Sequence, residues 1–104
     1  MIYKTKNEEN ILTVSLKGSL TFSDYTAFGK LLNLLSETKG KQYIFDLKEL
    51  DHIDSAGLGM LILCKEQLPE NSNSILLKNA SGHVGKMLEL GRFNEIFDIH
   101  FVNN

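Results

Sequence analysis

The sequence predicts an α/β domain built on a mixed, largely parallel sheet flanked by helices. Strand-like and helix-like segments alternate after an opening hairpin, in the order β-β-α-β-α-β-α-β. The stretch Tyr43–Leu47 is nearly continuous in apolar character, as expected of a central strand covered on both faces. A chain of 104 residues suits one domain, residues 1–104, with a single core.

The elements follow in order. "MIYKTKNEENILTVSLKG" reads as two strands around the turn Asn7-Glu8-Glu9-Asn10. Leu12, Val14 and Leu16 share one face of the second strand, and Gly18 ends it. "FSDYTAFGKLLNLLSETKG" reads as a helix with Ser23 as N-cap and Asp24 at the positive end of its dipole. Tyr25, Phe28, Leu32 and Leu35 recur there at helical spacing, and Gly40 supplies the stop. "QYIFDLK" is a strand and "KELDHID" a connecting loop. A second helix runs from about Ala56 to Leu68 and is closed by Pro69. "SILLKN" is a strand, and "SGHVGKMLELG" a helix with Ser81 as cap, Gly91 as stop, and Gly82 and Gly85 weakening it. "NEIFDIHFV" carries a last short strand with alternating Ile99 and Phe101.

Composition narrows the class. Apolar residues make up 42% and charged residues 23% of the chain, with a formal net charge of -2. Lysines are scattered among acids, so neither nucleic acid nor an anionic membrane is expected as the main partner. The single cysteine, Cys64, cannot form an internal disulfide, and "MIYKTKNEEN" has no apolar signal core. The longest apolar run, Gly57 to Cys64, is too short to span a bilayer. A soluble cytoplasmic protein is expected.

"HIDSAGLGMLILCKEQ" places a serine at the mouth of an apolar helix, and four kinds of chemistry compete for it. The nucleophile elbow G-x-S-x-G is only half matched by "IDSAG", since Ile53 replaces the first glycine. The required acid and histidine would have to be Asp98 and His100, two residues apart at the chain end. "GLG" at 57–59 starts a dinucleotide fingerprint, but position 62 is Ile and no G-K-[ST] occurs. His52, His83 and His100 lack paired metal-ligand spacing and read as separate surface or half-buried side chains. No cofactor, metal or enzymatic activity is expected.

A plain N-cap is the third reading: Ser55 can satisfy one orphan N–H, worth about 1 kcal/mol. Capping leaves Gly57 and Gly59 unexplained, each costing about 1 kcal/mol against alanine in a helix. Glycines here keep the surroundings of Ser55 free of side chains, so a partner's active site can approach the hydroxyl. The helix is apolar on two sides. Leu58, Leu61, Ile62 and Leu68 form the expected core face, and Met60, Leu63, Cys64 and Gln67 form a second stripe. That stripe is either buried by another layer or a partner patch beside Ser55.

"YIFDLKELDHIDSAGLGMLILCKEQ" resembles the STAS domain family, specifically its stand-alone anti-sigma factor antagonists. Asp46-Leu47 and Asp54-Ser55-Ala56-Gly57-Leu58-Gly59 match the family motif in order and spacing. "LKGSLTFSDYTAF" and "GHVGKMLELGRFNEIFDI" extend the likeness over essentially the whole chain. The resemblance implies a STAS-like single domain with a mixed four- to five-stranded sheet and helices mainly on one face. It also implies a bacterial signalling switch that regulates transcription. An anti-sigma factor, itself a GHKL-type serine kinase, would phosphorylate Ser55, and a PP2C-type phosphatase would reverse the modification. The unphosphorylated form would capture the anti-sigma factor. The expected partner surface comprises Thr21, Asp54, Ser55, Ala56, Gly57, Leu58, Gly59, Met60 and Leu63.

Three residues depart from the common pattern. Thr21 stands where many members carry an acid, Ala56 removes a second serine, and His52 replaces an apolar residue. A non-sigma switch (biofilm, secretion or two-component output) and an unmodified STAS subunit of a lipid-transport complex are the alternatives.

Overall fold

Leu12, Val14 and Leu16 alternate with Thr13 and Ser15, and in three dimensions that period of two becomes a strand with one buried face. The structure, a computed structural model, describes residues 1–38, 42–68 and 75–102. Strands β1 (Ile2–Glu8), β2 (Ile11–Leu20), β3 (Gln42–Ile53), β4 (Ile75–Ala80) and β5 (Asp98–Phe101) form one sheet in the order β1-β2-β3-β4-β5. β1 and β2 pair antiparallel, from Ile2↔Lys17 to Glu8↔Ile11, and every other pairing is parallel. The hairpin turn is shorter than expected, because Glu9 takes a positive φ of 37° and lets the strands run up to Glu8 and Ile11.

Helices α1 (Tyr25–Ser36), α2 (Ser55–Gln67) and α3 (Gly82–Leu90) make the crossovers. Parallel strands added one after another in the same direction, with right-handed crossovers, place these helices on one face. The core lies beneath them. Leu12, Val14, Leu16, Tyr43, Phe45, Leu47 and Leu77 meet Phe28, Leu31, Leu32 and Leu35 of α1, Leu61 of α2, and Val84 and Leu88 of α3. Tyr43 is wholly buried, and its hydroxyl donates to the Leu35 carbonyl at 2.9 Å. β3 is therefore covered on one face only: Ile44 and Asp46 lie half-buried on the other side, with Ile44 beside Leu76.

The stretch expected to be a loop, Lys48 to Asp54, is strand up to Ile53. Its buried residues are Leu47, Leu50 and Ile53, spaced by three. Two bulges explain the spacing. Ser15↔Asp46 is followed by Lys17↔Glu49, and Gly18↔Leu50 by Ser19↔His52, so β3 gains one residue at each break. Gly18, read as the end of β2, lies at the second break with φ 90° and lets the strand continue to Leu20.

Helix starts also differ. Thr21, not Ser23, occupies the N-cap of a 3-10 turn at Phe22–Asp24 that leads into α1. The Asp24 carboxylate accepts the Thr21 N–H at 2.8 Å. Tyr25, placed by periodicity on the core face of α1, is 59% exposed. Ser81 and Gly91 flank α3 as expected, although the Ser81 side chain makes no capping bond. Gly40, Pro69 and Ser74 lie outside the described residues.

Candidate functional site

Ser55 is the first residue of α2 and is exposed. The residue before it does the capping. Asp54 has extended backbone, and its Oδ1 accepts the Gly57 N–H at 2.7 Å. Its Oδ2 accepts the Phe22 N–H at 3.2 Å. The Asp54 N–H donates to the Leu20 carbonyl at 3.3 Å, and its carbonyl accepts from Leu58 at 3.0 Å. Asp54 thus ties the start of α2 to the end of β2 and to the 3-10 turn. The expected Ser55 cap is corrected accordingly: aspartate reaches the third helical N–H, and the serine hydroxyl makes no hydrogen bond among the described residues.

Gly57 and Gly59 have different roles. A Cβ on Gly57 would lie 2.2 Å from the Leu20 carbonyl oxygen and 2.8 Å from Ile53 Cγ1. Gly57 therefore lets the helix approach the strand ends, and it is buried. Gly59 is exposed, and a Cβ there would meet nothing within 4 Å. Of the two, only Gly59 keeps the surface beside Ser55 bare.

The buried stripe of α2 is Gly57, Met60, Leu61 and Cys64, continued by Leu68. This corrects both expected stripes. Met60, at 2% exposure, has no side-chain surface to offer a partner, while Leu58, Ile62 and Leu63 are half-buried. The spacing 57-60-61-64-68 is helical; choosing it over 58-61-62 required knowing that Gly57 touches the strand. Burial pushes the Cys64 thiol above its ordinary range, so it is inert rather than nucleophilic.

Thr21 is half-buried, with its Oγ1 2.9 Å from Ser23 Oγ. Burial raises the Asp24 carboxyl, but the Met1 ammonium at 2.7 Å and the Thr21 N–H outweigh it and hold the group below its usual value. Phe22, 74% exposed, stands next to the Asp54 clamp, and the exposed Tyr25 at the start of α1 lines a shallow surface hollow with Leu63 and Gln67. Sequence reasoning missed both aromatics as surface. The 3-10 turn rotates Phe22 outward, and no periodic pattern in so short a turn signals it.

The remaining candidates separate clearly. His52 and His83, distant in sequence, stack with ring centroids 4.7 Å apart, and His83 Nε2–H donates to the Ile53 carbonyl at 3.1 Å. No group of three metal-ligating side chains forms among the described residues. Asp98 and His100 pair with Leu76 and Lys78, on the sheet face opposite the helices. Ser55 therefore has no acid–histidine relay from β5.

With this geometry established, comparison with known proteins is decisive. The protein-family model described as "Mlab, STAS domain" matches residues 4–100. This chain belongs to the STAS domain family. A STAS-domain-containing protein of Pseudomonas aeruginosa is 30% identical over 88 residues, which cover 85% of this chain and 86% of that protein. The Bordetella bronchiseptica protein BtrV carries the name anti-sigma factor antagonist. It is 32% identical over 59 residues, 57% of this chain and 51% of BtrV. Among solved structures, an anti-sigma factor antagonist from Mycobacterium paratuberculosis superposes with a TM-score of 0.86, at 14% identity, over 95% of this chain and 84% of that one. The antagonist SpoIIAA in its unphosphorylated form gives 0.69 at 14% identity, over 99% and 89%. The STAS fold is shared with both. Among the described residues, no helix is long and apolar enough to cross a membrane.

Proposed function

We propose that this STAS domain is a cytoplasmic anti-sigma factor antagonist switched by phosphorylation of Ser55. The unphosphorylated protein captures an anti-sigma factor that is also a GHKL-type serine kinase. Phosphate on Ser55 ends the capture, and a PP2C-type phosphatase restores it. The protein itself turns over no substrate.

One observation carries this reading: the Ser55 hydroxyl is exposed and unbonded at the first turn of α2, because Asp54 has taken over the cap. A kinase finds the oxygen free, and the helix loses no intramolecular bond when it is modified. Phosphate adds about -1.5 to -2 charge, which a helix N-terminus tolerates. Asp54 is already anionic beside it, so the added charge accumulates at the contact surface and repels a partner that fitted the neutral serine. Thr21, Asp54, Ser55, Ala56, Leu58, Gly59 and Leu63 form the proposed contact surface. Gly57 and Met60 support it from beneath.

Incubation with the cognate kinase and ATP, followed by intact-mass measurement, tests the proposal. Wild type should gain a single phosphate and Ser55→Ala none, since Ala56 offers no second hydroxyl. Phosphate on both proteins would place the acceptor elsewhere.

A second reading is a constitutive STAS subunit of a lipid-transport complex, in which Ser55 is never modified. The match to the STAS family over residues 4–100 is compatible with either reading. Under the second, the protein co-purifies with transporter components, and Ser55→Asp leaves the assembly intact.

A further inference from the structure

The first bulge of β3 does more than shift register. It turns Lys48 and Glu49 outward together, between the buried Leu47 and Leu50. On the uncovered face of the sheet this leaves a hollow of about 180 Å³ across β1, β2 and β3. Strand register places Ile2 opposite Lys17 and Lys4 opposite Ser15, with Ser15 in turn opposite Asp46. All of these side chains line the hollow, together with Lys48.

Charge in the hollow runs against that of the whole chain. Lys4, Lys17 and Lys48 face Asp46 and Glu49, a local excess of cation in a protein of net charge -2. The carboxylates are partly engaged already. Asp46 Oδ1 accepts the Asn79 side-chain amide at 2.9 Å and the Lys48 N–H at 3.1 Å. Glu49 and Lys17 form a loose pair at 3.9 Å. Lys4 and Lys48 make no ion pair among the described residues. Two lysines without an ion pair among the described residues therefore line a hollow that is also lined by Ser15 and the exposed Ile2.

We propose that this hollow binds a small organic phosphate, with Lys4 and Lys48 holding the phosphoryl oxygens, Ser15 donating a hydrogen bond, and Ile2 packing against the organic part. Lysine suits this task as a mobile point charge, which a solvent-facing hollow requires. The site lies on the opposite face of the sheet from Ser55, so it is independent of the proposed switch.

The test is amide chemical-shift titration of the full chain with inorganic phosphate, with phenyl phosphate, and with sodium chloride at matched ionic strength. Both phosphates should shift the amides of Lys4, Ser15 and Lys48 while sodium chloride leaves them in place, with phenyl phosphate about threefold tighter through Ile2. Lys48→Gln and Lys4→Gln, both at exposed positions that leave the fold intact, should each weaken phenyl phosphate about fivefold. Shifts spread equally over Lys30 and Lys86, or reproduced by sodium chloride alone, would overturn the site. So would Lys48→Gln and Lys4→Gln variants that bind phenyl phosphate as wild type does.

Discussion

Asp54 and Ser55 are neighbours of opposite consequence. The Asp54 side chain holds the Gly57 and Phe22 N–H groups, whereas the Ser55 hydroxyl holds nothing among the described residues. Asp54→Ala should therefore lower stability by about 1–2 kcal/mol in urea unfolding. Ser55→Ala should change it by no more than about 0.5 kcal/mol. The two glycines divide in the same way. Gly59→Ala should be neutral or stabilising by up to about 1 kcal/mol, since the site is open and alanine is the better helix former. Gly57→Ala should destabilise by about 1–3 kcal/mol, because its Cβ would press on the Leu20 main chain. Thermal melts of the four variants separate these outcomes. The Asp-Ser pair was legible in the sequence, but not its division of labour: both residue types cap helices, and only backbone direction decides which reaches the third N–H.

Among the elements, β3 shows most clearly where pattern reading stops. Its first half is legible as a strand from a nearly continuous apolar run. That run predicts cover on both faces, whereas only Tyr43, Phe45 and Leu47 within it are buried. Its second half puts Leu47, Leu50 and Ile53 three apart, a spacing that fits no regular strand until two bulges are known. Helix α2 misleads for a related reason: apolar on two sides, it offers two competing stripes and no clear periodic signal to select the one that faces the sheet. Two further predictions belong to this scale. Cys64 is buried in α2 with its thiol pushed up, so it should resist thiol reagents in the native protein and react fully in denaturant. Native labelling at the denatured rate would contradict that packing. The 3-10 turn before α1 is held by Asp24, whose folded pKa lies below its ordinary 3.8. Its stabilisation is fully present above that value and is lost as pH falls through the lower folded one. Asp24→Asn should destabilise at pH 7, and its difference from wild type in urea midpoint should shrink as pH falls below the ordinary 3.8.

For the molecule as a whole, the order of elements, the mixed sheet and the placing of Ser55 at the second helix were all legible, because strand–helix alternation and the Asp-Ser-Ala-Gly-Leu-Gly motif are local signals. The exposed aromatics Phe22 and Tyr25 and the His52–His83 stack were not, since they depend on how distant segments meet. The proposed partner switch rests on the whole surface around Ser55, where charge should end binding without unfolding the domain. Calorimetric titration of the cognate anti-sigma factor with wild type, Ser55→Ala and Ser55→Asp, beside their melting temperatures, tests it most directly. Wild type and Ser55→Ala should bind alike, and Ser55→Asp should bind at least about tenfold more weakly with a melting temperature close to wild type. Equal affinity of wild type and Ser55→Asp would contradict the switch and leave the constitutive-subunit reading in its place.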